Sequence, residues 1–149
     1  MYYFVDTSVL LRAILDSSIS AQNWFSQVAF PDKLIGSEML ALDTRRATLN
    51  FEVVTGDDSR RKLAETYLSK FSLREIDPGI MRRAENIRFQ LRAGDAIHLA
   101  TALDFGADNL VFVTHDAQQA TAAKALGMQV QDPVTDDPNR PPTIIRGLQ

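Results

Sequence analysis

The sequence predicts an α/β protein, a three-layer α/β/α sandwich built around a mostly parallel central sheet. Short apolar runs of strand length alternate along the chain with longer amphipathic stretches of helix length, the order that parallel strands with crossover connections require. The run "NLVFVTH" is almost wholly apolar, as a strand covered on both faces must be. A third observation concerns charge. Asp6 follows the first apolar run and Asp116 follows "VFVTH", so acids stand where strands end and helices begin. In open parallel sheets that edge is where ligands bind.

The elements follow in order. Tyr2 to Val5 reads as a short strand. Val9, Leu10, Ala13 and Ile14 then share one face of a helix, with Thr7 or Ser8 as its cap. "SSISAQNWFSQVAF" is a second helix, capped by Ser17 or Ser18 and stopped near Pro31. "KLIGS" is a strand, and "SEMLALDTRRATLNFEVV" a long helix with Ser37 as its cap. Gly56 to Asp58 break it before the helix "SRRKLAETYLSKF". "LREI" is a strand ended by Asp77-Pro78-Gly79, and "IMRRAENIRFQL" is an amphipathic helix. Gly94 separates that from the helix "DAIHLATALDF", which Gly106 ends. After "NLVFVTH" come the helix "DAQQATAAKAL", closed by Gly127, and a last strand, "MQVQ". Residues 1–131 are read as one domain. Residues 132–149 form a Pro-rich tail that holds four of the six prolines.

Bulk composition narrows the function. The 149 residues are 45% apolar and 23% charged, ordinary for one soluble domain, and no stretch is long and apolar enough to span a membrane. The start has no secretory pattern, so a cytoplasmic protein is expected. The absence of cysteine excludes disulfides, thiolate metal sites and a cysteine nucleophile. A net charge of −3 argues against a nucleic-acid partner. Two facts weaken that argument: twelve of the sixteen basic residues are Arg, and acids that hold cations are less negative than they count.

Four acids need a reason: Asp6, Asp43 inside the long helix, Asp95 just after Gly94, and Asp116. Asp95 and Asp116 also read as helix N-caps, and Asp43 as a partner of Arg46 on a solvated face. Together they carry more weight, because strand ends and helix starts converge on one edge of the sheet. Two unit charges about 4 Å apart repel by roughly 4 kcal/mol at an effective dielectric of 20, which a bound cation offsets. An all-carboxylate site suits Mg²⁺ or Mn²⁺ rather than Zn²⁺, and such ions mostly serve phosphate chemistry.

The segments "YFVDTSVLLRAI", "SEMLALDTRRA", "LRAGDAIHLATAL" and "VFVTHDAQQATAAKALGMQV" resemble the PIN-domain ribonucleases, in particular the VapC-type toxins of toxin–antitoxin pairs. The resemblance covers about residues 1–131 and implies a PIN-like sandwich. It also implies a magnesium- or manganese-dependent endoribonuclease, usually dimeric and held in check by a cognate antitoxin. Carried over by position, the family's four acids fall on Asp6, Asp43, Asp95 and Asp116, with Asp6, Asp95 and Asp116 as metal ligands. Ser8 and Thr114 match the small polar residues that support the first and fourth acids. The family's second acid is usually Glu; Glu38 competes with Asp43 for that place, and the register favours Asp43. The alternative function is a PIN-like protein without nuclease activity, serving as a binding module for RNA or protein.

Further residues border this reading. His98, three residues after Asp95, is read as a packed histidine bracing the helix or the acid, and His115 as a neighbour of the site. Arg12, Arg45 and Arg46 are candidate phosphate contacts, and Arg60, Arg61 and Lys62 candidates for guiding RNA or meeting the antitoxin. An apolar face on the helices of residues 17–30 or 38–70 is expected to meet the dimer partner or the antitoxin. Two rival folds fail on residues: a haloacid-dehalogenase-like phosphatase needs an acid where Ser8 stands, and a receiver domain needs paired acids near the start.

Overall fold

The computed structural model describes residues 1–134. The sheet has five strands: β1 (Tyr2–Val5), β2 (Lys33–Ser37), β3 (Phe71–Arg74), β4 (Leu110–Val113) and β5 (Gln129–Gln131). Their spatial order is β3-β2-β1-β4-β5 and every pairing is parallel. The middle strand β1 runs in register with β4, Phe4 beside Phe112 and Val5 beside Val113. All carboxyl ends therefore lie on one edge.

Among the described residues seven α-helices cover the sheet: α1 (Thr7–Ile14), α2 (Ile19–Gln27), α3 (Glu38–Thr55), α4 (Ser59–Leu68), α5 (Pro78–Glu85), α6 (Ala93–Phe105) and α7 (Ala117–Ala125). Alternation along the strands divides them into two layers. Val5, Leu34, Val111 and Val113 pack with residues of α1 to α4, among them Leu10, Ile14, Phe25, Leu40 and Leu68. Phe4, Ile35 and Phe112 turn to the other face and pack with Leu99 and Ala102 of α6 and Ala122 and Ala123 of α7. Phe4 and Phe112 stack across the β1–β4 pair, with centroids 5.5 Å apart. The three-layer expectation holds, and β4 is flanked on both sides as its apolar run required.

Several boundaries differ from the sequence reading. Neither Thr7 nor Ser8 caps α1: Asp6 is the N-cap residue, and both hydroxyls lie inside the helix, free for tertiary bonds. Ser18 does cap α2, accepting from the Ala21 amide, but that helix stops at Gln27 rather than near Pro31. Ser37 caps α3 as expected, and Gly56, with φ of 75°, closes it in the left-handed region that favours glycine. α4 ends at Leu68, short of Phe71, which opens β3.

β3 therefore occupies "FSLR" and not "LREI": the edge strand exposes part of both faces and gives a weak apolar signal. The helix expected over 80–91 begins earlier, at Pro78 behind the Asp77 cap, and ends at Glu85. Residues 86–92 run irregularly, with Ile87 and Leu91 packed against the core. The beginning of the predicted tail packs on the domain. Asp132 meets His115, Ser20 donates to the Pro133 carbonyl, and Val134 is buried. The remaining residues of the predicted tail lie outside the described residues.

Candidate active site

Asp6 leaves β1 at the carboxyl edge and is almost wholly buried, 2% exposed. Its backbone amide still bonds to the Val113 carbonyl of β4, which fixes the acid relative to the next strand end. One carboxylate oxygen, Oδ2, accepts from the Ser8 hydroxyl at 2.9 Å and from the Thr114 hydroxyl at 2.8 Å. Those hydroxyls in turn accept from the backbone of the turn after β4: the His115 amide donates to Ser8 and the Asp116 amide to Thr114. Strand-end hydroxyls thus relay two backbone dipoles onto one buried carboxylate. This is the positive partner that a buried charge needs.

The other Asp6 oxygen faces His98 Nε2 at 3.7 Å. His98 sits on α6, 1% exposed. Its Nε2 lies 3.1 Å from the Thr7 hydroxyl and 3.4 Å from Asp43 Oδ2. Thr7 donates its single proton to Asp43 at 2.9 Å, which leaves a lone pair for Nε2–H and sets the direction of the chain from His98 through Thr7 to Asp43. Burial alone would lower the His98 pKa. The bond to Asp43 and the charges of Asp6, Asp43 and Asp95 outweigh it and raise the value above the ordinary 6.5. Asp43 mirrors this. Its partial burial would raise the carboxyl, but hydrogen bonds from His98 and Thr7 bring it below 3.8.

Of the two α3 acids, Asp43 is the one joined through Thr7 and His98 to the surroundings of Asp6. Glu38 accepts from the Ile76 amide at 2.8 Å and tethers the end of β3 instead.

Asp95 lies in the first turn of α6 and Asp116 caps α7, accepting from the Gln119 amide at 3.0 Å. Two helix N-termini thus face the carboxyl edge, where their dipoles favour negative charge. No donor among the described residues reaches the Asp95 carboxylate. Burial, and then the charges of Asp6 and Asp116, push it up to about 6 against the opposing pull of His98 and Arg92. Both neighbouring acids are thus close enough to be felt at Asp95, and the three form one negative field. Gln119, fully buried, donates to the Asp95 carbonyl at 2.9 Å and ties α7 to the start of α6.

The profile of the PIN domain matches residues 3–125, which span this whole constellation. The chain belongs to the PIN-domain family. Ribonuclease VapC46 of Mycobacterium tuberculosis is 30% identical over 132 residues, 87% of this chain and 96% of that protein. Among solved structures, VapBC2 from Rickettsia felis, bound to a promoter DNA fragment, superposes with a TM-score of 0.68 at 13% identity. It covers 89% of this chain and 98% of its own. A toxin–antitoxin complex from Klebsiella pneumoniae superposes at 0.62 with 20% identity, covering 88% and 97%.

This PIN domain offers a divalent ion hard oxygen donors and a charge surplus. Among the described residues no three Asp, Glu or His side chains already converge as a ligand set. The donors nonetheless fit a hard cation that keeps much of its own water and takes only one or two carboxylates directly. The raised Asp95 reflects its burial and the like charges of Asp6 and Asp116.

The basic residues picked out from the sequence are engaged with other side chains. Arg12 pairs with Asp16, Arg45 with Glu65, Arg60 with Asp57, Arg61 with Glu52 and Lys62 with Asp58; Arg46 bonds to Asn50. Two site residues escaped the sequence reading. In the sequence Thr7 reads only as a cap, although a second hydroxyl beside a strand-end acid is a signal for it. Gln119, a polar side chain within an alanine-rich helix, has no local reason to be buried.

Proposed function

We propose that this PIN domain is an endoribonuclease dependent on Mg²⁺ or Mn²⁺, acting in the cytoplasm as the toxin of a toxin–antitoxin pair. The observation that carries the reading is the field of Asp6, Asp95 and Asp116 at one sheet edge, with Asp95 raised to about 6 by burial and by its two acidic neighbours. A divalent ion bound there supplies acidity to water and charge to offset the phosphodiester. Asp6, held by Ser8 and Thr114, gives that ion a fixed anchor; Asp95 and Asp116 complete its oxygen donors. Asp43 faces the same edge through Thr7 and His98 and orders the outer rim of the site. The ribonuclease name of the 30% identical relative supports RNA as the substrate. The toxin–antitoxin complex among the structural neighbours supports an antitoxin partner. On α3, Leu42, Leu49 and Val53 recur on one exposed stripe, the surface best suited to the antitoxin or to a second copy in a homodimer.

The test is cleavage of total cellular RNA by the purified chain, freed of partner, with Mg²⁺, with Mn²⁺ and with EDTA, beside Asp6→Asn. Discrete fragments that require both metal and Asp6 are expected. Cleavage by a folded Asp6→Asn protein would overturn the assignment. RNA binding without cleavage in any metal would leave the chain as a binding module.

A further inference from the structure

Among the described residues the arginines divide into two populations. Those of α1 to α4 and β3 lie in ion pairs, with Arg46 bonded to Asn50. Arg82, Arg83, Arg88 and Arg92, on α5 and the irregular run after it, are all exposed, and no carboxylate among the described residues pairs with any of them. Four arginines against one acid, Glu85, make this the basic stretch of a chain whose net charge is −3. Arg82, Arg83 and Arg88 border a recess of about 550 Å³, within the size range of small-ligand sites. Its floor is apolar, made by Ile87, Leu103 and Leu126, and the ring of Phe89 stands at its side, 39% exposed.

Ile87 and Leu91 anchor the run to the core, so the arginines and Phe89 are presented from a fixed base. Asn86 Nδ2 donates to the Arg82 carbonyl at 2.7 Å, with its Oδ1 as a further acceptor beside the recess.

We propose that residues 82–92 form the seat of a single-stranded RNA substrate, with phosphates on the unpaired arginines and one base resting on Phe89 over the apolar floor. The proposal rests on the nuclease reading above and names where its substrate lies. Charge complementarity and a ring beside a basic rim are the combination by which single strands are held without a duplex. Continuity with the acids favours RNA over an acidic peptide. Arg92 immediately precedes α6, three residues before Asp95 on the same chain turn. Leu103 lies eight residues beyond Asp95 on the same helix, roughly 12 Å along its axis. A strand seated in the recess and running past Arg92 along α6 has about 12 Å to cover before its next phosphodiesters meet the start of that helix, where Asp95 stands.

Fluorescence anisotropy of a labelled, mixed-sequence single-stranded RNA, titrated with the full chain in EDTA across a range of salt, measures this seat without cleavage. The double variant Arg82→Ala/Arg88→Ala is expected to weaken binding about tenfold and to lower the slope of log K against log salt by about 1.4. Phe89→Ala is expected to weaken binding about fivefold or more with the slope unchanged, and Phe89→Trp to restore it. Wild-type affinity in both the Arg82→Ala/Arg88→Ala and the Phe89→Ala proteins, or no RNA binding by the wild type, would overturn the seat. Tighter, arginine-dependent binding of polyglutamate would overturn it in favour of an acidic protein partner. Parallel cleavage with Mn²⁺ separates the two readings. Asp6-dependent cleavage with unaffected variants removes the seat alone, whereas seat-dependent binding without cleavage removes the nuclease alone.

Discussion

The two halves of the acid site are built in opposite ways. Asp6 and Asp43 are satisfied from within the chain: Ser8 and Thr114 donate to the first, Thr7 to the second, and His98 stands beside both. Asp95 and Asp116 sit at helix N-termini, and Asp95 has no hydrogen-bond donor among the described residues and is pushed up to about 6. The first half is rigid because its charges already have partners. In the second, Asp116 accepts only from the Gln119 amide among the described residues, and Asp95 feels burial and its acidic neighbours more than the opposing pull of His98 and Arg92. Internal partners steady the first pair, and the second keeps a carboxylate open.

Replacing His98 attacks the satisfied half at its centre and carries the largest expected effect. His98→Leu leaves Asp6 and Asp43 without their shared partner in a buried setting, at a cost of about 3 kcal/mol. The sign with pH follows from both shifts. His98 is raised, so its contribution is full below the ordinary 6.5 and is lost as pH rises through the folded value. Asp43 is lowered, so its contribution is full above 3.8 and is lost as pH falls through the folded value. Urea denaturation should therefore show the widest gap between wild type and variant at about pH 4 to 6.5. A gap that does not change with pH would reduce His98 to a packing residue.

Thr114→Val is a milder cut in the same half. It removes one of two donors to Asp6 and the acceptor of the Asp116 amide while keeping the shape. A loss of about 2 kcal/mol is expected from thermal or urea unfolding, with reduced metal-dependent cleavage. An unchanged stability would mean that Ser8 alone satisfies Asp6.

The contrast also explains what the sequence disclosed. Asp6 and Asp116 were legible because a strand of continuous apolar residues cannot end in an acid without reason, and "KLIGS" was legible because its apolar core sits between a lysine and a capping serine. The three-layer order followed from the alternation of elements. β3 was misplaced by two residues because an edge strand such as "FSLR" has no fully buried face. The helix after Pro78 was drawn too long because Ile87 and Leu91 keep a helical spacing although the chain beyond Glu85 has left the helix. Which arginines are free was not legible at all. Arg45 and Arg88 look alike in sequence, and only the tertiary placement of Glu65, twenty residues from Arg45, separates them.

The open half offers a smaller effect of opposite sign. A carboxyl raised in the folded state destabilises it once ionised. The penalty grows as pH climbs from 3.8 through about 6 and is complete above that. Asp95→Asn should therefore stabilise the metal-free protein at neutral pH by about 1 kcal/mol, after allowance for solvent screening of a half-buried group. The gain should vanish near pH 4. Added Mn²⁺ should raise the melting temperature of wild type more than that of the variant, because the ion relieves the same repulsion. A variant no more stable than wild type at pH 7.5 would show that the three acids are already relaxed without an ion.

The smallest expected effect extends the comparison from acids to bases. Arg45 is exposed and closes a two-pronged pair with Glu65, through Nε at 2.8 Å and an outer nitrogen at 3.1 Å. Like other solvated pairs it contributes little, so Arg45→Ala should cost less than about 0.5 kcal/mol. More telling is its expected effect on RNA. A guanidinium already committed to a carboxylate releases few counterions on meeting a phosphate, so Arg45→Ala should leave both the affinity and its salt slope as in wild type. Arg88→Ala alone, which breaks no ion pair, should lower the slope by about 0.7. If Arg45→Ala weakens RNA binding as much as Arg88→Ala does, then pairing within the free protein does not decide which side chains meet the substrate, and the division between satisfied and open groups ends at the acids.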